Sequence, residues 1–199
     1  MTLPDLVDVQ LPSILTRCLI DAENQAILDS LVPDANVGSS ASTTGLLASA
    51  GLTAAVSSDD TAPGSPGLRA INSAIGTLRV GAAYAEADSI ILNPTTWTKL
   101  RGAVNSLGDF ILDAQVTGDG GLPELWGLRV ALSSQMPAGE ALIFDSNQFA
   151  KIYVRSGPMM MMSNQGLQLM ETNQTLTVIE EFIGLSIPRP DAGLLLTGI

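Results

Sequence analysis

The sequence predicts an α+β fold. Two stretches with helical spacing of apolar residues lie in its first half, and short apolar stretches of strand character gather in its second. The first helix is expected over Leu11 to Asp29, where Leu15, Cys18, Leu19, Ala22 and Ala26 recur at three- and four-residue steps. It starts near Pro12 and stops before Pro33. Cys18 reads as a small core residue. From Val37 to Gly67 the composition shifts to Gly, Ala, Ser, Thr and Pro, with apolar patches such as Leu46-Leu47. That stretch has too little bulk for a core of its own and must lean on other elements or stay mobile. Ser65-Pro66 opens a second helix with Leu68, Ile71, Ile75, Leu78 and Ala82 on one side.

Ser89 to Leu92 reads as a short buried strand. Asn93-Pro94 follows as cap and first-turn proline, with Trp97, Leu100 and Val104 as the buried stripe of a third helix. After the glycine-rich turn Gly118 to Gly121, strands are expected at Leu128 to Ser133, Ala141 to Phe144 and Ile152 to Arg155. A longer one is expected from Thr175 to Ile187. Its alternation slips near Glu180-Glu181, which predicts a bulge or a passage between two packing environments. No repeat of solenoid period is visible.

The 199 residues suffice for a real core without covalent staples, and a single cysteine rules out an intramolecular disulfide framework. Nine basic residues against twenty acidic ones give a charge of -11, a field that repels phosphate backbones and argues against sequence-specific nucleic-acid binding. A mean hydropathy of +0.31 with 15% charged residues leaves more apolar surface than a well-solvated monomer needs, which invites subunit contacts. No apolar run approaches bilayer-spanning length, Leu194-Leu195-Leu196 included, so no membrane partner is expected. The opening Met1-Thr2-Leu3-Pro4-Asp5 lacks the basic and apolar regions of a signal peptide, and the chain reads as cytoplasmic.

The chain contains no histidine, which removes the usual general base and the commonest zinc ligand. No phosphate-binding Gly-x-x-x-x-Gly-Lys loop exists, and no cofactor is expected. Asp113, Gly118 and Glu124 stand at positions one, six and twelve of a calcium-loop pattern, but Gln115 and Thr117 replace the intervening carboxylates; an ordinary turn is the other reading. Met159 to Met162 suit either thioether copper binding or a soft contact surface. Glu180 and Glu181, adjacent on a strand, point to opposite faces and cannot form a dyad. An enzymatic alternative rests on Asp109, Asp113 or Asp119 around the glycine-rich turn.

Three segments, in order, resemble the major capsid proteins of tailed bacteriophages, whose architecture is called the Hong Kong 97 fold. They are Ile90-Ile91-Leu92-Asn93-Pro94-Thr95-Thr96-Trp97, Leu125-Trp126-Gly127-Leu128-Arg129-Val130, and Asn173 through Glu180-Glu181 to Ile187-Pro188-Arg189-Pro190-Asp191-Ala192. Arg129 stands where the family commonly has proline, and Phe182 where it often has arginine.

The resemblance implies a spine helix at about 11–29 within a peripheral-domain segment covering residues 1–65, an axial domain 66–178, and a terminal strand 179–199 returning to the periphery. It also implies a chain that begins after the family's N-terminal arm and extended hairpin. Some relatives cross-link an asparagine to a hairpin lysine with help from a glutamate; Asn173 and Glu180 occupy the matching positions, whereas Lys99 and Lys151 are the chain's only lysines. As the other reading, Asn173 serves a turn and Glu180 bridges to an arginine such as Arg189. The expected function is that of a non-enzymatic subunit of an icosahedral phage or prophage capsid, assembling noncovalently into pentamers and hexamers around DNA. Assembly would occur in the bacterial host cytoplasm with scaffold or portal proteins as further partners. The alternatives are an encapsulin-like nanocompartment subunit and a non-assembling binding module.

Overall fold

The computed structural model describes residues 11–28, 45–49, 52–56, 66–104, 107–112, 124–166, 171–172 and 174–199. Helix α1 spans Leu11–Leu28. Its expected apolar stripe is covered unevenly: Ala26 is buried, Leu15 and Leu19 are half-buried, and Cys18 and Ala22 are exposed. Cys18 is therefore not a core residue, because α1 meets the described body of the chain mainly toward its C-terminal end. There the amides of Leu46 and Leu47 donate to the carbonyls of Ile27 and Leu28 at 2.8 and 2.9 Å, satisfying acceptors that a helix end leaves open. Leu46 is buried in the same cluster as Leu28, so this stretch of the Gly/Ser-rich segment does lean on its neighbour.

Helix α2 (Pro66–Val80) buries Leu68, Ile71, Ala74 and Leu78; Ala82 lies in the turn beyond it and is exposed. Helix α3 (Pro94–Arg101) buries Thr96, Trp97 and Leu100. It ends one turn earlier than the apolar spacing suggested, with Gly102 as cap, and Val104 instead bridges to Phe110 and is exposed.

The strands β1 (Thr53–Val56), β2 (Ser89–Leu92), β3 (Glu124–Leu125), β4 (Leu128–Leu132), β5 (Glu140–Phe144) and β8 (Gly193–Thr197) form one sheet in the order β1-β8-β5-β2-β4-β3. β1 runs parallel to β8 and β2 parallel to β4; the other pairings are antiparallel. Register sorts the side chains into two layers. Val130, Ile90, Ile143 and Leu194 line up across four strands and, with Leu92, Ala141 and Leu196, pack with α2 and α3 in one core cluster. Ile91, Leu142 and Leu195 face the other way, toward Met136, Phe149 and the end of α1. A sheet covered on both sides explains why β2 reads as continuous apolar residues. The segment after residue 178 thus holds two strands, the remainder of β7 and β8, the second of them inside this sheet.

Between β3 and β4, Leu125 pairs with Leu128 across a two-residue turn in which Trp126 (φ 52°) and Gly127 (φ 84°) both have positive φ. This is the type I′ hairpin turn, where the glycine is at no steric cost and the tryptophan is strained.

The strands β6 (Lys151–Ser163) and β7 (Leu176–Ser186) form a separate antiparallel ribbon, with β7 meeting α1. β6 is much longer than the expected Ile152 to Arg155 and includes all of Met159 to Met162. The irregularity expected near Glu180 lies on the opposite strand. From Val154 to Ser156, β6 advances two residues while β7 advances one, and from Ser156 to Met159 three against two. Gly157 and Pro158 occupy the second bulge, where a missing side chain and a missing N–H are tolerated. β7 changes apolar phase because its surroundings change: Leu176, Val178 and Phe182 are exposed, whereas Leu185 packs on the second core cluster.

At Gly193 an added Cβ would lie 2.5 to 2.8 Å from the fully buried ring of Phe149. Gly193→Ala is expected to lower unfolding stability by roughly 1–3 kcal/mol, the usual cost of overpacking a core, as measured by denaturant titration.

Candidate functional site

Two polar joints hold the sheet's loops, and each begins at a residue whose side chain competes well for backbone amides. In the first, Asn93 follows β2 and caps α3: its Oδ1 accepts from the Thr95 amide at 2.9 Å and from Thr95 Oγ1 at 2.8 Å. Its Nδ2 donates to the Met136 carbonyl at 2.6 Å, and the amide of Gly139 donates to buried Thr96 Oγ1 at 2.9 Å. The Asn-Pro signal thus fastens the helix start to the turn between β4 and β5.

The second joint follows β5. Asp145, 5% exposed, accepts at Oδ1 from the Asn147 amide (2.9 Å) and at Oδ2 from Gln148 Nε2 (3.0 Å) and the Glu86 amide (3.3 Å). Its own amide donates to the Ala192 carbonyl at 3.2 Å. Arg189 Nη1 donates to Gln148 Oε1 at 2.8 Å, so the Arg-Pro segment is tied to this turn and not to Glu180. Beside it, Asp88 Oδ1 accepts from the Ser146 amide at 2.9 Å, Oδ2 accepts from Ser146 Oγ, and Arg129 Nη2 lies 3.8 Å away. Partial burial pushes the Asp88 carboxyl up, but the hydrogen bonds from Ser146 and Ser89 and the charge of Arg129 outweigh it and hold the group below its ordinary value. Asp145 is held by backbone and side-chain amides. The two joints position backbone.

Asp113, Gly118, Asp119 and Asn173 lie outside the described residues. Glu124 is exposed at the start of β3 and Asp109 is exposed in the loop after α3. Glu180 is half-buried on β7, directly opposite Met159. Among the described residues no three acidic or cysteine side chains gather as a metal site requires. No helix of the described residues is long and apolar enough to cross a membrane. A cleft of about 190 Å³ between α2, β1 and β8 is lined by Thr53, Thr77, Leu78, Gly81, Ala82, Asp191 and Leu194, a set with one carboxylate and no second acid or base. What the structure presents instead is bare apolar surface, most of all on the ribbon.

Residues 15–198 match the model of the phage capsid family. The chain belongs to the phage capsid family. Within that family its role is that of a capsid structural subunit. A search of curated proteins gives no match. Among solved structures, the capsid chain is similar to a protein of Gordonia phage Cozz (14% identity, TM-score 0.67, covering 99% of this chain and 67% of that one). It is also similar to the capsid protein of the empty GTA particle (19%, 0.63, 98% and 69%) and to the SrpI encapsulin of Synechococcus elongatus PCC 7942 (10%, 0.57, 100% and 71%). At these identities the likenesses establish the fold, which is the Hong Kong 97 type. The joints at Asn93 and at Asp88 and Asp145 are then the internal fastenings of a capsid subunit.

Asn93→Ala is expected to cost about 1–2 kcal/mol of unfolding stability through loss of the cap and of the bond to Met136. Asp88→Ala should cost about 1–2 kcal/mol at neutral pH. Because the native carboxyl titrates below its unfolded counterpart, its contribution is full above about pH 4 and disappears as pH falls through the lowered native value. Thermal melts of both proteins across pH should therefore converge under acid conditions.

Proposed function

We propose that the capsid chain is the repeating unit of an icosahedral phage or prophage shell, assembling noncovalently into pentamers and hexamers around DNA. The family match over residues 15–198 carries this reading. The six-stranded sheet with α2 and α3 suits the axial domain, near the centre of each capsomer, and α1 with the ribbon suits the peripheral domain. This division replaces a cut at residue 178, which falls inside β7. The protein acts without catalysis. Its charge of -11 keeps the wall from binding the enclosed DNA tightly. Assembly takes place in the host cytoplasm, with scaffold and portal proteins as transient partners. The nanocompartment reading has one observation in its favour, the likeness to an encapsulin over the whole chain, at a TM-score of 0.57 against 0.67 for the Gordonia phage protein.

Light scattering and negative-stain electron microscopy of the purified protein across concentration and salt test the proposal. Capsomer-sized rings or closed shells are expected, and boiled in denaturant these should run as the 20.7 kDa chain, without cross-link ladders through Asn173. A strictly monomeric protein under all conditions would favour the binding-module alternative. Particles isolated from the native host that hold protein cargo and no DNA would favour the nanocompartment.

A further inference from the structure

Two passages of chain join the six-stranded sheet to the ribbon, residues 145–150 from β5 to β6 and 187–192 from β7 to β8. They leave the sheet at the pair Phe144 and Gly193 and enter the ribbon at the pair Lys151 and Ser186. Between these pairs the ladder is broken, and the passages share one backbone hydrogen bond, from the Asp145 amide to the Ala192 carbonyl, beside the sheet. Two prolines explain the break. Pro188 and Pro190 have no N–H to donate and fix their own φ, and they hold Ile187 and Arg189 away from helical backbone; Arg189 has φ −136° and ψ 85°.

Midway along the gap one side-chain hydrogen bond crosses it, from Arg189 Nη1 to Gln148 Oε1 at 2.8 Å. Gln148 is held from its other end as well, because its Nε2 donates at 3.0 Å to Asp145 Oδ2, the atom that also accepts from the Glu86 amide. The three side chains make a line from a buried carboxylate to an exposed guanidinium. Leu185 and Ile187 add apolar packing against the second core cluster. Such packing is non-directional and tolerates a change of angle, whereas the bond between a planar guanidinium and a planar amide does not.

We propose that Gln148 and Arg189 are a clasp that fixes the angle of the ribbon to the six-stranded sheet, and that with the clasp open the ribbon swings while both sheets stay folded. Both are positioning residues. Phe149 is fully buried and Pro188 is stiff, so Ala150 and Ile187, the links to the ribbon's first pair, take up the swing. The clasp belongs to the single subunit and does not depend on what that subunit assembles into.

Distances between spin labels on the full chain test the clasp. Cys18→Ser removes the native thiol, Lys99→Cys on α3 and Ser163→Cys at the far end of β6 carry the labels, and labelled chains are diluted into unlabelled ones so that only distances within a subunit are read. This parent should give one narrow distance distribution. Arg189→Ala and Gln148→Ala should each widen it at least about twofold while the melt stays cooperative and close to that of the parent. Arg189→Lys, which keeps a donor, should leave it narrow. A broad distribution in the parent, or a width that neither alanine variant changes, would overturn the clasp. Failure of either alanine variant to fold would overturn it too, because the bond would then be part of what holds the sheets together.

Discussion

Insertion of the last strand between β1 and β5 is the constraint on which the body of the protein depends. Leu194 and Leu196 are buried in the cluster shared with α2 and α3, and Leu195 reaches the opposite cluster. β8 thus belongs to both layers at once and joins β1, some 140 residues earlier in the chain. Its path is set by two close fits: the absence of a side chain at Gly193 beneath the Phe149 ring, and the bond from the Asp145 amide to the Ala192 carbonyl. Until the final residues arrive, the edges of β1 and β5 that they occupy stay open and the sheet is incomplete.

The body and the ribbon follow opposite rules. In the body, buried polar groups such as Asp145 and Thr96 have partners, as groups removed from water require. The ribbon keeps apolar side chains in water on both faces, an arrangement that favours association. The bulges between Val154 and Met159 mark where the ribbon's outer half begins, the stretch in which both strands carry bare apolar side chains. A shell subunit needs both: a wedge that holds its shape alone, and a surface that gains from its neighbours.

Much of the body was legible in the sequence because its signals are local. Leu68, Ile71, Ile75 and Leu78 specify α2 by spacing, and Asn93-Pro94 specifies a cap that the structure realises with the expected Asn93 side-chain bond. β1 was not legible, since Thr53-Ala54-Ala55-Val56 lacks bulk and becomes a strand only by pairing with β8. The phase change in β7 was visible, but it could not reveal that the extra residues sit on β6. Of the polar joints, the one at Asp145 was not legible, although Asp, Ser and Asn favour turns. Its ties to Glu86, Asp88, Gln148 and Arg189 join segments far apart in the chain and leave no spacing to read.

By itself, the sequence determined the helix-early, strand-late order, the capping of α3, the acidic surface and the three ordered segments that resemble phage capsid proteins. Each depends on neighbouring residues or on totals. Only the tertiary structure decided that Cys18 stands uncovered, that the C-terminal leucines lie inside the sheet, and that the methionine run is exposed along the outer half of a two-stranded ribbon. Burial is settled by what distant segments of the chain bring to a surface, and an apolar residue has the same local pattern whether that cover comes from its own chain or from another.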